Sequence, residues 1–487
     1  MFPAPEIDSQ SDVPLYRQVF QQVKNSINDG RLVRGSRLPA TRELAGLLGL
    51  NRTTVSAAYG LLESEGLISG QVGRGSFVTG APLRENLNLD WRTLLTPSAS
   101  TPSPQPGSKE AISFAASRPS ELLFPMDEFR RSCEEVLAGG ELASILQLGS
   151  PGGYGPLRQY LIAEARSQGA MGPNDDIIVT SGCQQALHLL QCVLAPAGTK
   201  VAIEDPIYPG VKNLFLCAGA QLVGVRMGPG GIDLGDLERV LDQERPKLLV
   251  ITPNFQNPTG ATMPQPARED LLRMVRAAGV ALIENDTYGD LRYEGDAIPA
   301  LKSDNTILLR SYSKIAFPGL RVGWAIGPKA VIARMSEAKQ LSDLHSDQLS
   351  QAVLLRFAES GRLEAHRQNI LRAGAEKLKV VLSACERYLP SGSTFTRPEG
   401  GMNLWVRLPE PLDSGELLMR AQRENVTYLP GRYFTVSRPD PGGFRLSFAG
   451  LPADKIRAGV SILGEIFRVE LERTQSAKSL EPAPAMV

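Results

Sequence analysis

Lys314 lies in the stretch Ser311-Tyr312-Ser313-Lys314-Ile315-Ala316-Phe317-Pro318-Gly319-Leu320-Arg321-Val322-Gly323-Trp324. One amine, two hydroxyls and a guanidinium surround a tight turn. A lysine amine condenses with an aldehyde to give a Schiff base, and hydroxyls and an arginine fork take up phosphate oxygens. Together they form a toolkit for holding an aldehyde that carries a phosphate. Further groups with chemistry are spread along the chain. Ser181-Gly182-Cys183-Gln184-Gln185 opens a helix after a strand-like run, and first-turn N–H groups attract phosphate. Asn257-Pro258-Thr259-Gly260 reads as a turn, and Glu284-Asn285-Asp286-Thr287-Tyr288 places acids and a phenol at the end of a buried strand. Arg445, within Phe444-Arg445-Leu446-Ser447-Phe448, is of the type that pairs bidentately with carboxylates. Taken singly these have plain alternatives: an ordinary turn, a helix-capping acid, a surface ion pair.

The elements that must position these groups are those of an α/β domain. From 111 to 472, apolar runs (176–180, 200–203, 247–252, 280–284, 306–310, 322–326) alternate with helical segments, which predicts a mainly parallel sheet with a smaller α+β subdomain at its C-terminal end. Residues 11–80 read differently. Leu15, Val19, Val23 and Ile27 recur at helical spacing, a second helix runs from Arg42 to Leu48, and a third begins after the capping candidate Asn51. Short strands follow around Gly70-Gln71-Val72-Gly73-Arg74, so the segment is predicted to be a winged helix-turn-helix. Residues 81–110 are rich in proline and serine and read as an extended linker. Residues 473–487 are expected to be disordered.

Composition excludes several classes. A chain of 487 residues with 42% hydrophobic content is globular and too long for one core. Lys+Arg and Asp+Glu are 52 each, so no global field advertises a polyanionic partner. No run of about 18 apolar residues appears, so no membrane association and a cytoplasmic location are expected. Five cysteines without a Cys-x-x-Cys pair and only three histidines argue against a metal site or a disulfide framework. His188, in the apolar run Ala186-Leu187-His188-Leu189-Leu190, reads as a core histidine.

The stretch around Lys314 resembles the Ser-x-Ser-Lys and Pro-Gly-x-Arg-x-Gly motif of fold-type I, class I aminotransferases, which implies pyridoxal phosphate (PLP) joined to Lys314. By the same resemblance Gly182, Cys183, Gln184, Ser311, Ser313 and Arg321 cradle the phosphate, and Asn257 and Tyr288 hold the phenolic oxygen O3′. Asp286 pairs with the ring nitrogen, Tyr208 stacks on the ring and Arg445 grips a ligand carboxylate. The chain departs from the pattern at Leu148, where a tyrosine usually reaches the phosphate of the partner subunit. Either Tyr154 substitutes or that contact is absent.

Leu38-Pro39-Ala40-Thr41-Arg42-Glu43-Leu44-Ala45, Leu48-Gly49-Leu50-Asn51-Arg52-Thr53-Thr54-Val55 and Gly73-Arg74-Gly75-Ser76-Phe77-Val78 resemble the GntR family of bacterial regulators. That likeness implies DNA contacts by Arg42, Asn51, Arg52, Thr53, Thr54 and Arg74. Residues 1–80 carry eight Lys/Arg against seven Asp/Glu, so non-specific attraction to DNA is expected to be modest. Both parts in one chain resemble the MocR/GabR regulators. A homodimer on a double-stranded operator is implied, with an amino compound or PLP itself as effector. The same residues also support a second reading, a working aminotransferase with an auxiliary DNA-binding head.

Overall fold

The computed structural model describes residues 5–8, 11–71, 75–79 and 111–480. It divides into two compact units, 1–97 and 98–487.

In the first unit the helices Leu15–Asn28, Thr41–Leu48 and Arg52–Ser64 precede a hairpin of Ile68–Gln71 and Gly75–Val78. Val19, Val23 and Ile27 are buried against Leu44, Val55, Ala58 and Leu62, the single apolar face that their spacing predicts. Gly49 closes the second helix in the left-handed conformation (φ 66°) and turns the chain into the third. Asn51 has the extended backbone of a cap, but its side chain makes no capping hydrogen bond. The hairpin tip with Arg74, the linker 81–110 and residues 481–487 lie outside the described residues.

The second unit is built on an eight-stranded sheet ordered Asp175–Thr180, Gly323–Pro328, Thr306–Ser311, Ala281–Asn285, Leu248–Ile251, Lys200–Asp205, Gln221–Gly228 and Gly231–Ile232. The run from Thr306–Ser311 to Gln221–Gly228 is parallel throughout. Gly323–Pro328 runs against both of its neighbours, so the sheet is mixed. Leu248-Leu249-Val250-Ile251 is buried on both faces, as expected where helices cover a parallel sheet on two sides. One face packs Val201, Val250 and Ile283 under the helix Cys183–Leu194. The other packs Leu249, Leu282 and Leu271. A smaller antiparallel sheet of Thr394–Phe395, Asn403–Arg407, Gly443–Ser447 and Leu429–Pro430 forms the C-terminal α+β part.

Two expectations are corrected. The last helix runs Ala453–Leu480, past the start of the expected disorder at 473. Ala and Lys in Ser476-Ala477-Lys478 are good helix formers, and a helix already docked has only to be propagated. His188 is exposed, 3.8 Å from Cys192 Sγ, because Ala186, Leu187 and Leu190 take the inner face of its helix. Of the free cysteines, Cys183 and Cys385 are buried, whereas Cys192 and Cys217 are exposed.

The core histidine is His366, 2% exposed, stacked 6.3 Å from Phe317 and edge-on to Phe357, with neither ring nitrogen hydrogen-bonded. Burial lowers its pKa against a small opposing pull from Glu128. The unfolded chain therefore binds this proton more readily than the folded one below about pH 6.5, and stability falls as the pH drops through that range. His366→Phe is expected to raise Tm at pH 5 while changing it little at pH 8. Equal shifts at both pH values in calorimetry would reject this assignment.

Candidate functional site

A cavity of about 640 Å³ opens at the carboxyl ends of the parallel strands, where open α/β sheets bind ligands. Thr252, Asn285 and Ser311, from three adjacent strand ends, line it together with Lys314. Lys314 follows Ser311 in a 3₁₀ turn whose start is fixed by Ser313 N–H donating to Ser311 Oγ at 3.4 Å. Its Nζ donates to the carbonyl of Ser117 at 2.8 Å and stands 5.4 Å from the centre of the Tyr288 ring. Among the described residues no other lysine lines the cavity.

One end of the cavity is a phosphate-type cradle. The helix Cys183–Leu194 points its N-terminus here, and Cys183, Gln184, Ser311, Ser313 and Arg321 all border the space. Gly182 caps the helix at φ 87°, a backbone conformation that favours glycine, and lies close against the Arg321 guanidinium. Arg321 donates to the carbonyls of Ser181 (3.2 Å) and Pro318 (3.3 Å). Burial pushes the Cys183 thiol up to about 12, outweighing its hydrogen bond with Ser311, so Cys183 offers its backbone N–H and no charge.

Another part of the lining is a carboxylate-type clamp. Arg445 is 3% exposed, donates through Nη1 to Asn257 Oδ1 at 2.9 Å and through Nη2 to the Ala115 carbonyl, and leaves Nε without a partner. Burial pulls its pKa down to about 10, with Tyr288 and Tyr208 opposing, so the guanidinium stays charged at neutral pH. Asn257 Nδ2 donates to the Tyr288 hydroxyl at 3.2 Å, and Ser117 Oγ lies at the same distance from it. Burial alone would raise the Tyr288 phenol, but Lys314, the Ser117 hydrogen bond, Arg445 and Asn257 bring it below its ordinary value. Tyr208 stands 40% exposed on the rim.

The structure thus brings together Gly182, Cys183, Gln184, Tyr208, Asn257, Tyr288, Ser311, Ser313, Lys314, Arg321 and Arg445, which are spread over more than half of the sequence. It does not bring Asp286. That carboxylate is held by Asn254 Nδ2 at 2.8 Å and Arg310 Nε at 3.2 Å and does not line the cavity. Side chains alternate across a strand, so Asp286 falls on the opposite face and Asn285 takes the cavity side. Leu148 is 73% exposed and Tyr154 donates to Glu141 Oε2; neither lines this chain's own cavity, and the contact expected at this position is with a partner subunit. Sequence reasoning missed Asn285 and Ser117. The stretch Glu284 to Tyr288 contains the first but does not show which of its residues faces a ligand; nothing flags the second. The residues present fit PLP: an amine for the aldehyde, a cradle of N–H, hydroxyl and guanidinium donors for the phosphate, and the Arg445 guanidinium on the same cavity wall.

In the first unit, Arg42, Asn51, Arg52 and Thr53 are exposed and Thr54 is half-buried, all at or beside the starts of the second and third helices. Neither Arg42 nor Arg52 is in an ion pair among the described residues. These are the positions where a helix-turn-helix offers side chains and N–H groups to DNA.

Residues 133–463 match the aminotransferase class I and II family, and residues 15–78 match the bacterial regulatory proteins of the gntR family. The chain is 36% identical to 2-aminoadipate transaminase of Thermus thermophilus over 73% of its own length and 90% of the relative. It is 28% identical to the probable rhizopine catabolism regulatory protein MocR of Rhizobium meliloti over 95% of both chains. The crystal structure of the Thermus thermophilus α-aminoadipate aminotransferase LysN, complexed with N-(5′-phosphopyridoxyl)-L-leucine, matches with a TM-score of 0.71 at 34% identity, covering 75% of this chain and 94% of that one. No helix among the described residues is long and apolar enough to cross a membrane. The cavity is thus set in a fold whose relatives include transaminases, while relatives that match over nearly the whole chain include a regulator. This chain belongs to the aminotransferase class I and II family and carries a GntR-family helix-turn-helix ahead of that domain, the arrangement of the MocR-type transcriptional regulators.

Proposed function

We propose that the protein is a DNA-binding transcriptional regulator that carries PLP on Lys314 and responds to an amino compound bearing a carboxylate. The observation that carries this reading is the sharing of one cavity by the Lys314 amine and the buried, partly unsatisfied Arg445, in a chain that also holds a GntR-type head. Bound PLP supplies an aldehyde that condenses with amines and a ring that takes up electron density. Lys314 provides the amine that anchors it. The first-turn N–H groups of Cys183 and Gln184, beside Gly182, and Ser311, Ser313 and Arg321 hold the phosphate. Asn257 and Tyr288 orient the phenolic oxygen, and Tyr208 covers the ring from the rim. Arg445 orients the ligand by its carboxylate.

The head reads double-stranded DNA through Arg42, Asn51, Arg52, Thr53 and Thr54. Two heads joined through the aminotransferase domains of a homodimer match a two-fold operator, and the protein acts in the cytoplasm. A ligand changes operator affinity only by binding one arrangement of the heads better than the other. The deciding experiment is an operator titration of the PLP-loaded protein with and without a panel of amino compounds, read beside the absorbance of the PLP. A compound that shifts both supports the reading, and a panel that moves absorbance but never DNA affinity overturns it.

Arg52→Ala is expected to weaken operator binding by about 1–3 kcal/mol and to relax specificity at one base position. A loss that is uniform across operator variants, with a shallower salt slope, would instead make Arg52 a phosphate contact.

A further inference from the structure

The segment Glu284-Asn285-Asp286 offers two carboxylates and one amide at the end of the strand Ala281–Asn285, and period-two alternation decides which of them meets the cavity. Ile283 packs with Cys183 and Leu187, on the face of the helix Cys183–Leu194. Leu282 packs with Leu271 on the other. Asn285 therefore shares the face of Cys183, and Glu284 and Asp286 share the face of Leu271. Their contacts agree. Glu284 accepts from Leu301 N–H at 2.8 Å, Asp286 is tied to Asn254 and Arg310, and of the three residues only Asn285 lines the cavity.

The ring nitrogen of a pyridoxal lies para to its aldehyde carbon. With the aldehyde directed to Lys314, the phosphate to the cradle at Gly182 and Arg321, and the phenolic oxygen to Asn257 and Tyr288, the nitrogen edge faces the strand ends that form the floor. Asn285 is on the middle one of the three strands whose ends supply Thr252, Asn285 and Ser311.

We infer that Asn285, an amide and not a carboxylate, meets the ring nitrogen and holds it unprotonated, so that the site captures amines without removing their Cα proton. This rests on the PLP reading above. An amide has no charge with which to stabilise a protonated nitrogen, and its Nδ2–H donates to an unprotonated one. The carboxylate of Asp286, one residue on, is matched by the Arg310 guanidinium and faces away. Breaking a Cα–H bond leaves an electron pair that is accommodated far better where the ring nitrogen bears a proton. Asn285 removes that condition and leaves amine capture at Lys314 untouched.

The test reconstitutes the full-length protein with PLP labelled with ¹⁵N in its ring and records its nitrogen resonance. The expected wild-type signal is that of an unprotonated pyridine at pH 7, moving to the pyridinium position in Asn285→Asp. A pyridinium signal in the wild type, which needs no variant to fold, overturns the inference while leaving the PLP reading intact. So does a signal that Asn285→Asp does not move. Failure to form a borohydride-reducible bond to Lys314 ends both. Amino acids incubated with the wild-type protein in D₂O are expected to keep their Cα–H, while Asn285→Asp exchanges it at least about a hundredfold faster. Equal rates in the two proteins overturn the claim.

Discussion

Lys314→Ala is expected to abolish the borohydride-reducible bond between PLP and the protein and, with it, the absorbance of the bound aldehyde. The loss should be complete, because no second amine is placed to replace it. Among the described residues Lys314 is the one lysine on the cavity wall. Half-buried Lys212 is tied to the Tyr433 and Thr435 carbonyls, and Lys339 to Asp343. Reduction with borohydride followed by peptide mass mapping checks this directly. Label on Lys314 in the wild type and none in the variant is the expected pattern, and label on another lysine would refute the assignment. The same variant separates the two roles of the ligand. If it still binds operator DNA but no longer responds to amino compounds, sensing runs through Lys314.

Arg445→Ala is expected to weaken binding of an amino acid such as leucine by about 2–5 kcal/mol, roughly thirty- to several-thousand-fold. Binding of 3-methylbutylamine, the same skeleton without the carboxylate, should be nearly unchanged. The contrast matters because Arg445 also holds Asn257 and the Ala115 carbonyl, so a merely structural loss would weaken both ligands equally. Absorbance titrations of the PLP-loaded variant with the two compounds distinguish the cases.

The chemistry of the cavity was largely legible in the sequence because it depends on residue types that are hard to replace. Only lysine supplies the amine, only arginine the fork, and the φ of 87° at position 182 favours glycine. The errors arose where the deciding fact was spatial. Asp286 and Asn285 are neighbours in the chain, and which one faces a ligand depends on the face of the strand, which only the packing of Leu282 and Ile283 reveals. Ser117 contributes a carbonyl, which every residue has, from 197 positions away from Lys314. The parallel core of the sheet could be read from its apolar runs, but nothing in 322–326 announces that this strand runs against its neighbours. At His188 an apolar run hid the fact that its helix buries only one side.

The carbonyls that Lys314 and Arg445 occupy belong to Ser117 and Ala115, in one short stretch of chain. It leaves the strand Ile112–Ser113, which is pinned to Val426–Thr427, and it is the first described segment after residues 80–110, which lead back to the DNA-reading head. An aldehyde that condenses with the Lys314 amine draws on the group that donates to Ser117, and a carboxylate that engages Arg445 shares its guanidinium with the Ala115 carbonyl. Amide hydrogen exchange over residues 112–118 is therefore where occupation of either group is expected to register.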